Sequence, residues 1–229
     1  MYIKNYIIHN LKLQMNSVII LASGTGKRFK SKIPKQFTKL RNQMIVEYSI
    51  EAFSNNDNID EVILVCSEEW QNNLKNIYNK IEYTSGGCTR LESSYLGLLK
   101  CNINCINVLI HDAARPFVSQ KVINDSLAYL DKFDAAIPTI NSDDSLIDEK
   151  TLKYSSRDKI KMVQTPQAFD YKKILESYTK LADEHLFDQN IFNDDLSVLL
   201  KYNTSIKIKL FDGNKTNFKI TNKDDLNKA

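Results

Sequence analysis

Glycine and proline are scarce in this chain of 229 residues, with six and four copies respectively. That excludes collagen-like and linker-rich designs, and no low-complexity tract or internal repeat is present. Cysteine is sparse too: Cys66, Cys88, Cys101 and Cys105 form no C-x-x-C pair, and there are only three histidines. No zinc cluster can be assembled locally from so few ligands, and the four thiols read as reduced, pointing to the cytoplasm. No apolar run reaches the roughly eighteen residues that a membrane helix needs. Neither charge sign dominates, 31 basic against 28 acidic side chains giving a net +3. A dedicated nucleic-acid binder concentrates far more positive charge, whereas a local basic pocket for an anionic metabolite is compatible with this balance. Residues 1–16 carry neither a continuous apolar segment nor a small-residue cleavage site, so they read as an extended or disordered lead-in, not a secretion signal.

What is present is an ordinary globular composition, 42% hydrophobic and 26% charged, enough for one domain over residues 17–229. Short β-branched runs recur at Val18–Ala22, Val62–Cys66, Asn107–His111 and Ala135–Pro138. Their apolarity is continuous instead of alternating, which marks strands buried on both faces, as in a parallel sheet between helices. Helical stripes fall between them. Ser119 is placed to cap a helix carrying Val122, Ile123, Leu127 and Leu130 on one face, and Asp170 another carrying Tyr171, Ile174, Leu175, Tyr178 and Leu181. This alternation predicts an α/β fold, doubly wound around a mostly parallel sheet of Rossmann-like type. Residues 139–160 break the pattern with polar and alternately charged sequence, predicting an arm that projects from the domain.

Ligands of open α/β sheets bind beyond the carboxyl ends of the strands, and three polar clusters fall there. The first is Ser23-Gly24-Thr25-Gly26-Lys27-Arg28, followed by Pro34-Lys35-Gln36. Glycines after a strand let backbone N–H groups approach phosphate oxygens, and Arg28 and Lys35 add the cations a polyphosphate requires. It is not a Walker A loop, because Arg28 follows Gly26-Lys27 and Leu21 stands at the first glycine position. Nor is it a dinucleotide fingerprint, because Phe29 replaces the third glycine. The second cluster is His111-Asp112-Ala113-Ala114-Arg115-Pro116, in which Asp112 either holds a magnesium ion or caps the turn paired with Arg115. The third is Gly86-Gly87-Cys88-Thr89-Arg90 with Ser93 one turn on; the glycines admit a flat base, and the hydroxyls and Arg90 either bind it or cap a helix. Lys219, within Asn217-Phe218-Lys219-Ile220-Thr221, either returns to the phosphate site or is a solvated charge.

Taken in order, the Gly-Thr-Gly-Lys-Arg turn, Pro34-Lys35-Gln36, Gly86-Gly87-x-Thr-Arg, the His111–Pro116 block, Thr165-Pro166-Gln167 and Asn217–Thr221 resemble the 2-C-methyl-D-erythritol 4-phosphate cytidylyltransferases. The resemblance runs from about Ser17 to Leu226. It implies a CTP-using, magnesium-dependent enzyme of the non-mevalonate isoprenoid pathway, homodimeric through its arm. Ala22, Ser23, Gly24, Gly26, Gly87 and Ser93 would then bind the nucleotide, Arg28, Lys35 and Lys219 would act on the triphosphate, and Asp112 would hold the metal. Asp112, Arg115, Ser145, Arg157 and Thr165 would bind a sugar-alcohol phosphate. Departures are Cys88, where the family often has aspartate, Ser145 for an arm threonine, and Ser155-Ser156 before Arg157. A ribitol 5-phosphate or other polyol-phosphate cytidylyltransferase is the alternative within the class. A sugar-nucleotide pyrophosphorylase using another triphosphate, or a non-catalytic nucleotide sensor, stands outside it.

Overall fold

The β-branched runs form the strands that their continuous apolarity predicts. In the computed structural model, which describes residues 14–26, 29, 31, 33–189 and 191–229, the first strand β1 spans Met15–Leu21. Val18, Ile19 and Ile20 are wholly buried, because β1 lies between two parallel neighbours with helices on both faces. Its start at Met15, whose N–H donates to Asn104 O (3.0 Å), puts the boundary expected at residue 17 inside the strand. The rest of the lead-in, residues 1–13, lies outside the described residues.

After β1 come a small hairpin, β2 (Lys39–Leu40) with β3 (Gln43–Met44), and helix α1 (Ile45–Ser54). Next are β4 (Glu61–Val65), α2 (Glu68–Lys75), β5 (Glu82–Thr84), α3 (Arg90–Lys100) and β6 (Cys105–Asp112). Then follow α4 (Gln120–Leu130), capped by Ser119, and β7 (Ala135–Asn141). Beyond β7 the chain forms a hairpin, β8 (Leu146–Ile147) with β9 (Tyr154–Ser155), and a 3-10 turn at Arg157–Lys159. It returns as β10 (Lys161–Val163) and β11 (Gln167–Asp170), continuing into α5 (Tyr171–Asp183), capped by Asp170, then α6 (Asp195–Tyr202) and β12 (Ile208–Asp212). The arm therefore runs over 142–160, residues 139–141 belonging to β7.

Among the described residues these strands make an eight-stranded sheet. β5, β4, β1 and β6 are parallel, and β12 is parallel to β7. β12 occupies one edge of β7, so β10 and β11, both antiparallel to β7, share the other and act as one interrupted strand. β11 also pairs with β6, joining the two halves. One face packs Val18, Ile20 and Leu64 against α1, α2 and α4; the other packs Ile19, Ile63 and Ile110 against α3, α5 and α6. From β1 the chain moves outward to β4 and β5 and then returns to β6 on the other side of β1, so the strand order reverses at the β1–β6 crevice. Among the described residues no helix is long and apolar enough to cross a membrane.

Candidate active site

Three loops meet at that crevice. The first leaves β1 at Ala22, whose N–H still donates to Val65 O (2.8 Å), and turns through Ser23–Gly26. Gly26 has φ +65°, a left-handed conformation that glycine adopts without the steric cost of a Cβ. Phe37 anchors the following Lys35–Phe37 turn by stacking on Trp70, ring centroids 4.0 Å apart. That turn delivers Lys35, whose Nζ donates to Ile220 O (2.7 Å), and Gln36, whose Nε2 donates to Ala22 O (2.6 Å) and Gly24 O (2.8 Å). Arg28 lies outside the described residues.

The second loop is Gly86–Gly87. Gly86 presses on the first loop so closely that a Cβ would stand 2.2 Å from Ser23 Cβ. Buried Ser93 joins the two loops: its hydroxyl donates to Thr89 O (2.8 Å), accepts the Gly87 N–H (3.1 Å), and so accepts from Ser23 Oγ (2.8 Å). Thr89 caps α3, leaving Arg90 free of any capping duty.

The third loop follows β6. Asp112 is 8% exposed; its Oδ2 accepts from Lys219 Nζ (2.7 Å) and its Oδ1 from Arg90 Nε (3.1 Å). Burial alone would raise this carboxyl, but Arg90, Lys219 and Arg115 together hold it well below the usual carboxylate range, so Asp112 is an anion. Lys219 arrives from the C-terminal segment, which pairs with the third loop through Ile220 N–H to Ala114 O (2.8 Å). Arg115 Nη1 fixes the same segment by donating to Asn217 O (2.8 Å). Behind Asp112, its own N–H donates to Thr165 Oγ1 (3.1 Å), which lies 3.2 Å from His111 Nδ1, while His111 Nε2 lies 3.1 Å from Arg115 O. The carbonyl can only accept, so Nε2 carries the proton and Nδ1 accepts from Thr165. Burial pushes His111 down to about 4, and it is neutral.

The resulting cleft, about 490 Å³, is lined by Ser23, Gly24, Gly26, Lys35, Gly87, Asp112 and Lys219, together with Thr25, Gln36, Cys88, Arg90 and Thr221. Ala22 and Ser93 are buried beneath it, and Arg115 and Thr165 support it from behind. Ser145 and Arg157 do not reach it: both are exposed on the arm, where Arg157 Nη1 donates to Asp143 O (3.1 Å). Sequence reading missed the partners of Arg90. Its Nη2 meets Asp195 Oδ2 (2.8 Å) in the first turn of α6, and wholly buried Asp195 also accepts from Tyr178 OH (2.6 Å). The available signal was the Asp194-Asp195 pair opening a helix, where Asp194 caps and Asp195 is buried.

Among the described residues no three His, Cys, Asp or Glu side chains gather to hold a metal. Among the described residues Asp112 is the one carboxylate lining the cleft, and each of its oxygens keeps a lone pair beyond its cation contact. That suits magnesium, which takes one or two carboxylates and completes its shell with phosphate oxygens and water.

A mostly parallel sheet whose crevice holds a glycine turn, two lysines and one carboxylate defines a nucleotidyltransferase. Within that class, the family described as IspD, 2-C-methyl-D-erythritol 4-phosphate cytidylyltransferase, matches residues 16–229, and the chain belongs to it. A Clostridium botulinum (strain 657) protein of that name is 36% identical over 224 residues, covering 93% of this chain and 95% of the relative. A Clostridioides difficile relative of the same name is also 36% identical, covering 94% and 92%. The crystal structure of a 4-diphosphocytidyl-2C-methyl-D-erythritol synthase from Anaerococcus prevotii superposes with a TM-score of 0.80 at 28% identity, covering 94% of each chain.

Proposed function

We propose that the cleft transfers the cytidylyl group of CTP to the phosphate of 2-C-methyl-D-erythritol 4-phosphate, the reaction of the family in isoprenoid biosynthesis. The observation that carries this reading is the meeting of Lys35, Lys219 and Asp112, far apart in sequence, around one cleft floored by the glycine turn. An oxygen of the acceptor phosphate, anionic at neutral pH, attacks the α-phosphorus. The new O–P bond forms as the bond to the bridging oxygen breaks, and pyrophosphate leaves with that electron pair. Such a nucleophile needs no general base. This accords with His111, which is neutral and bonded through both ring nitrogens inside the fold. Catalysis is then positioning and charge neutralisation. Lys35 and Lys219 grip the phosphates, joined in this reading by Arg28, and the glycine turn cradles them. Magnesium held by Asp112 would supply further neutralisation of the triphosphate.

The acceptor is taken to be held by Asp112 and Arg115 on one side, and by Ser145 and Arg157 of a neighbouring subunit's arm on the other. Such a homodimer explains why those two arm residues stand outside the cleft of their own chain. Thr165 contributes by holding the Asp112 loop. The four unpaired thiols suit a cytoplasmic enzyme. Relatives carrying the methylerythritol name favour that acceptor over ribitol 5-phosphate. Pyrophosphate release measured with CTP and magnesium should be fast with methylerythritol 4-phosphate and slow with ribitol 5-phosphate or with UTP; the reverse order overturns the assignment. Lys219→Ala should lower kcat on the order of a hundredfold, as loss of one charge-stabilising donor does elsewhere. Unchanged turnover in the folded variant would remove Lys219 from the mechanism.

A further inference from the structure

We infer that Gln36 is a positioning residue that aims the backbone N–H groups of Ser23 and Thr25 at the phosphates of the nucleotide; this rests on the CTP reading above. Gln36 is 3% exposed, and its side-chain nitrogen donates to two carbonyls of one turn, Ala22 O at 2.6 Å and Gly24 O at 2.8 Å. Each carbonyl belongs to the same peptide plane as the N–H of the next residue. Both peptides are trans, the one cis bond among the described residues being Thr165–Pro166. In a trans peptide the C=O and N–H point in opposite directions. With the carbonyls of residues 22 and 24 held toward Gln36, the N–H groups of Ser23 and Thr25 face the other way. Ser23, Gly24 and Thr25 line the cleft there, and among the described residues neither N–H has a hydrogen-bond partner. Two aligned donors with nothing to bind form an anion cradle of the kind successive backbone amides provide. Between them Gly24 leaves open space, with no atom of the other described residues, its two chain neighbours aside, within 4 Å of where its Cβ would be.

The amide is the right group for this task, and its isostere is the wrong one. A glutamine nitrogen has two hydrogens for two carbonyls, whereas a carboxylate has none. At residue 36 a glutamate would place negative charge against both carbonyl oxygens and turn the peptides over, reversing the cradle. Protonation would restore one donor. The cost of Gln36→Glu should therefore shrink as pH falls.

The test is CTP binding by calorimetry in the presence of magnesium, with thermal unfolding as the control for folding. Wild type should bind CTP; if it does not, the functional reading fails and this inference with it. If it does, Gln36→Met should weaken binding about tenfold or more in a folded protein. Gln36→Glu should be weaker still at pH 8, and its deficit relative to wild type should narrow by several-fold at pH 6. A purely structural role predicts no such pH-dependent recovery. Wild-type CTP affinity in folded Gln36→Met, or a deficit in Gln36→Glu that is the same at both pH values, overturns the positioning role.

Discussion

A histidine beside a carboxylate that lines the cleft invites an acid–base role, but the geometry around His111 assigns it another. Both ring nitrogens are bonded within the fold, to Thr165 Oγ1 and Arg115 O, and the ring sits edge-on to Phe53. The ring holds together the loop that carries Asp112 and Arg115. Burial lowers its pKa from 6.5 to about 4, so the unfolded chain takes up a proton below pH 6.5 that the folded protein refuses until about 4. The sign follows: stability is complete above 6.5 and falls as pH drops through that window, by about 3 kcal/mol at its lower end. Asp112 does not confound the measurement, since its depressed pKa makes its own contribution fall only below the normal 3.8. Urea midpoints between pH 7 and 4.2 should show the decline in wild type and a flatter curve in His111→Gln. Equal slopes would refute the buried-neutral assignment. At this scale compact motifs made Lys35, Asp112 and Lys219 legible as candidates, Asp112 and Lys219 each with two readings, and the structure brings all three to one cleft. It was not legible for Arg90 and Gln36, whose partners, Asp195 and two backbone carbonyls, exist only once distant segments have packed.

Elements built from continuous β-branched runs were readable because burial on both faces leaves no choice of residue. β1, β4, β6 and β7 fall where those runs lie, and α4 and α5 start at the capping residues that announce them. β10 and β11 were not readable, since Lys161–Val163 is exposed and the strand is interrupted before Gln167. Their pairing is fixed by β7 and β6, which no local pattern reveals. The contact between loops is equally non-local, and it separates two glycines that look alike in sequence. A methyl group at Gly86 would collide with Ser23, forcing apart the two loops that Ser93 ties together, while one at Gly24 meets open space among the described residues. Gly86→Ala should therefore cost about 1–3 kcal/mol of stability, as overpacking does, and weaken CTP binding as well. Gly24→Ala should leave the unfolding midpoint within about 0.5 kcal/mol of wild type, as surface substitutions usually do, yet still weaken CTP. The pair of variants separates the space the fold uses from the space the nucleotide uses. CTP binding unimpaired in Gly24→Ala would show that the nucleotide does not approach this turn.

At the scale of the whole molecule, the arm is a feature that points beyond a solitary protomer. The arm hairpin of β8 and β9 has only two strands, and such a hairpin is marginal in water unless something covers it. Its side chains argue for a cover: Ile147, Leu152 and Tyr154 are 50%, 72% and 76% exposed. The base of the arm is nevertheless tied down, Lys215 pairing with Asp143 Oδ2 (2.6 Å) and Arg157 reaching the Asp143 carbonyl. A projecting, anchored hairpin that exposes Ile147, Leu152 and Tyr154 among charged residues suits a surface that packs against a second copy. In the proposed dimer each arm also brings Ser145 and Arg157 to the acceptor side of its neighbour's cleft. Assembly and acceptor binding should then fail together while nucleotide binding survives, because Lys35, Asp112, Lys219 and the glycine turn meet within a single protomer. The double substitution Leu152→Asp with Tyr154→Asp should shift the sedimenting species from dimer to monomer. It should also raise KM for methylerythritol 4-phosphate by tenfold or more and leave CTP affinity within about threefold of wild type. A monomer with undiminished affinity for the acceptor would place acceptor recognition wholly within one chain, and a wild-type protein that sediments as a monomer would leave Ile147, Leu152 and Tyr154 without a covering partner.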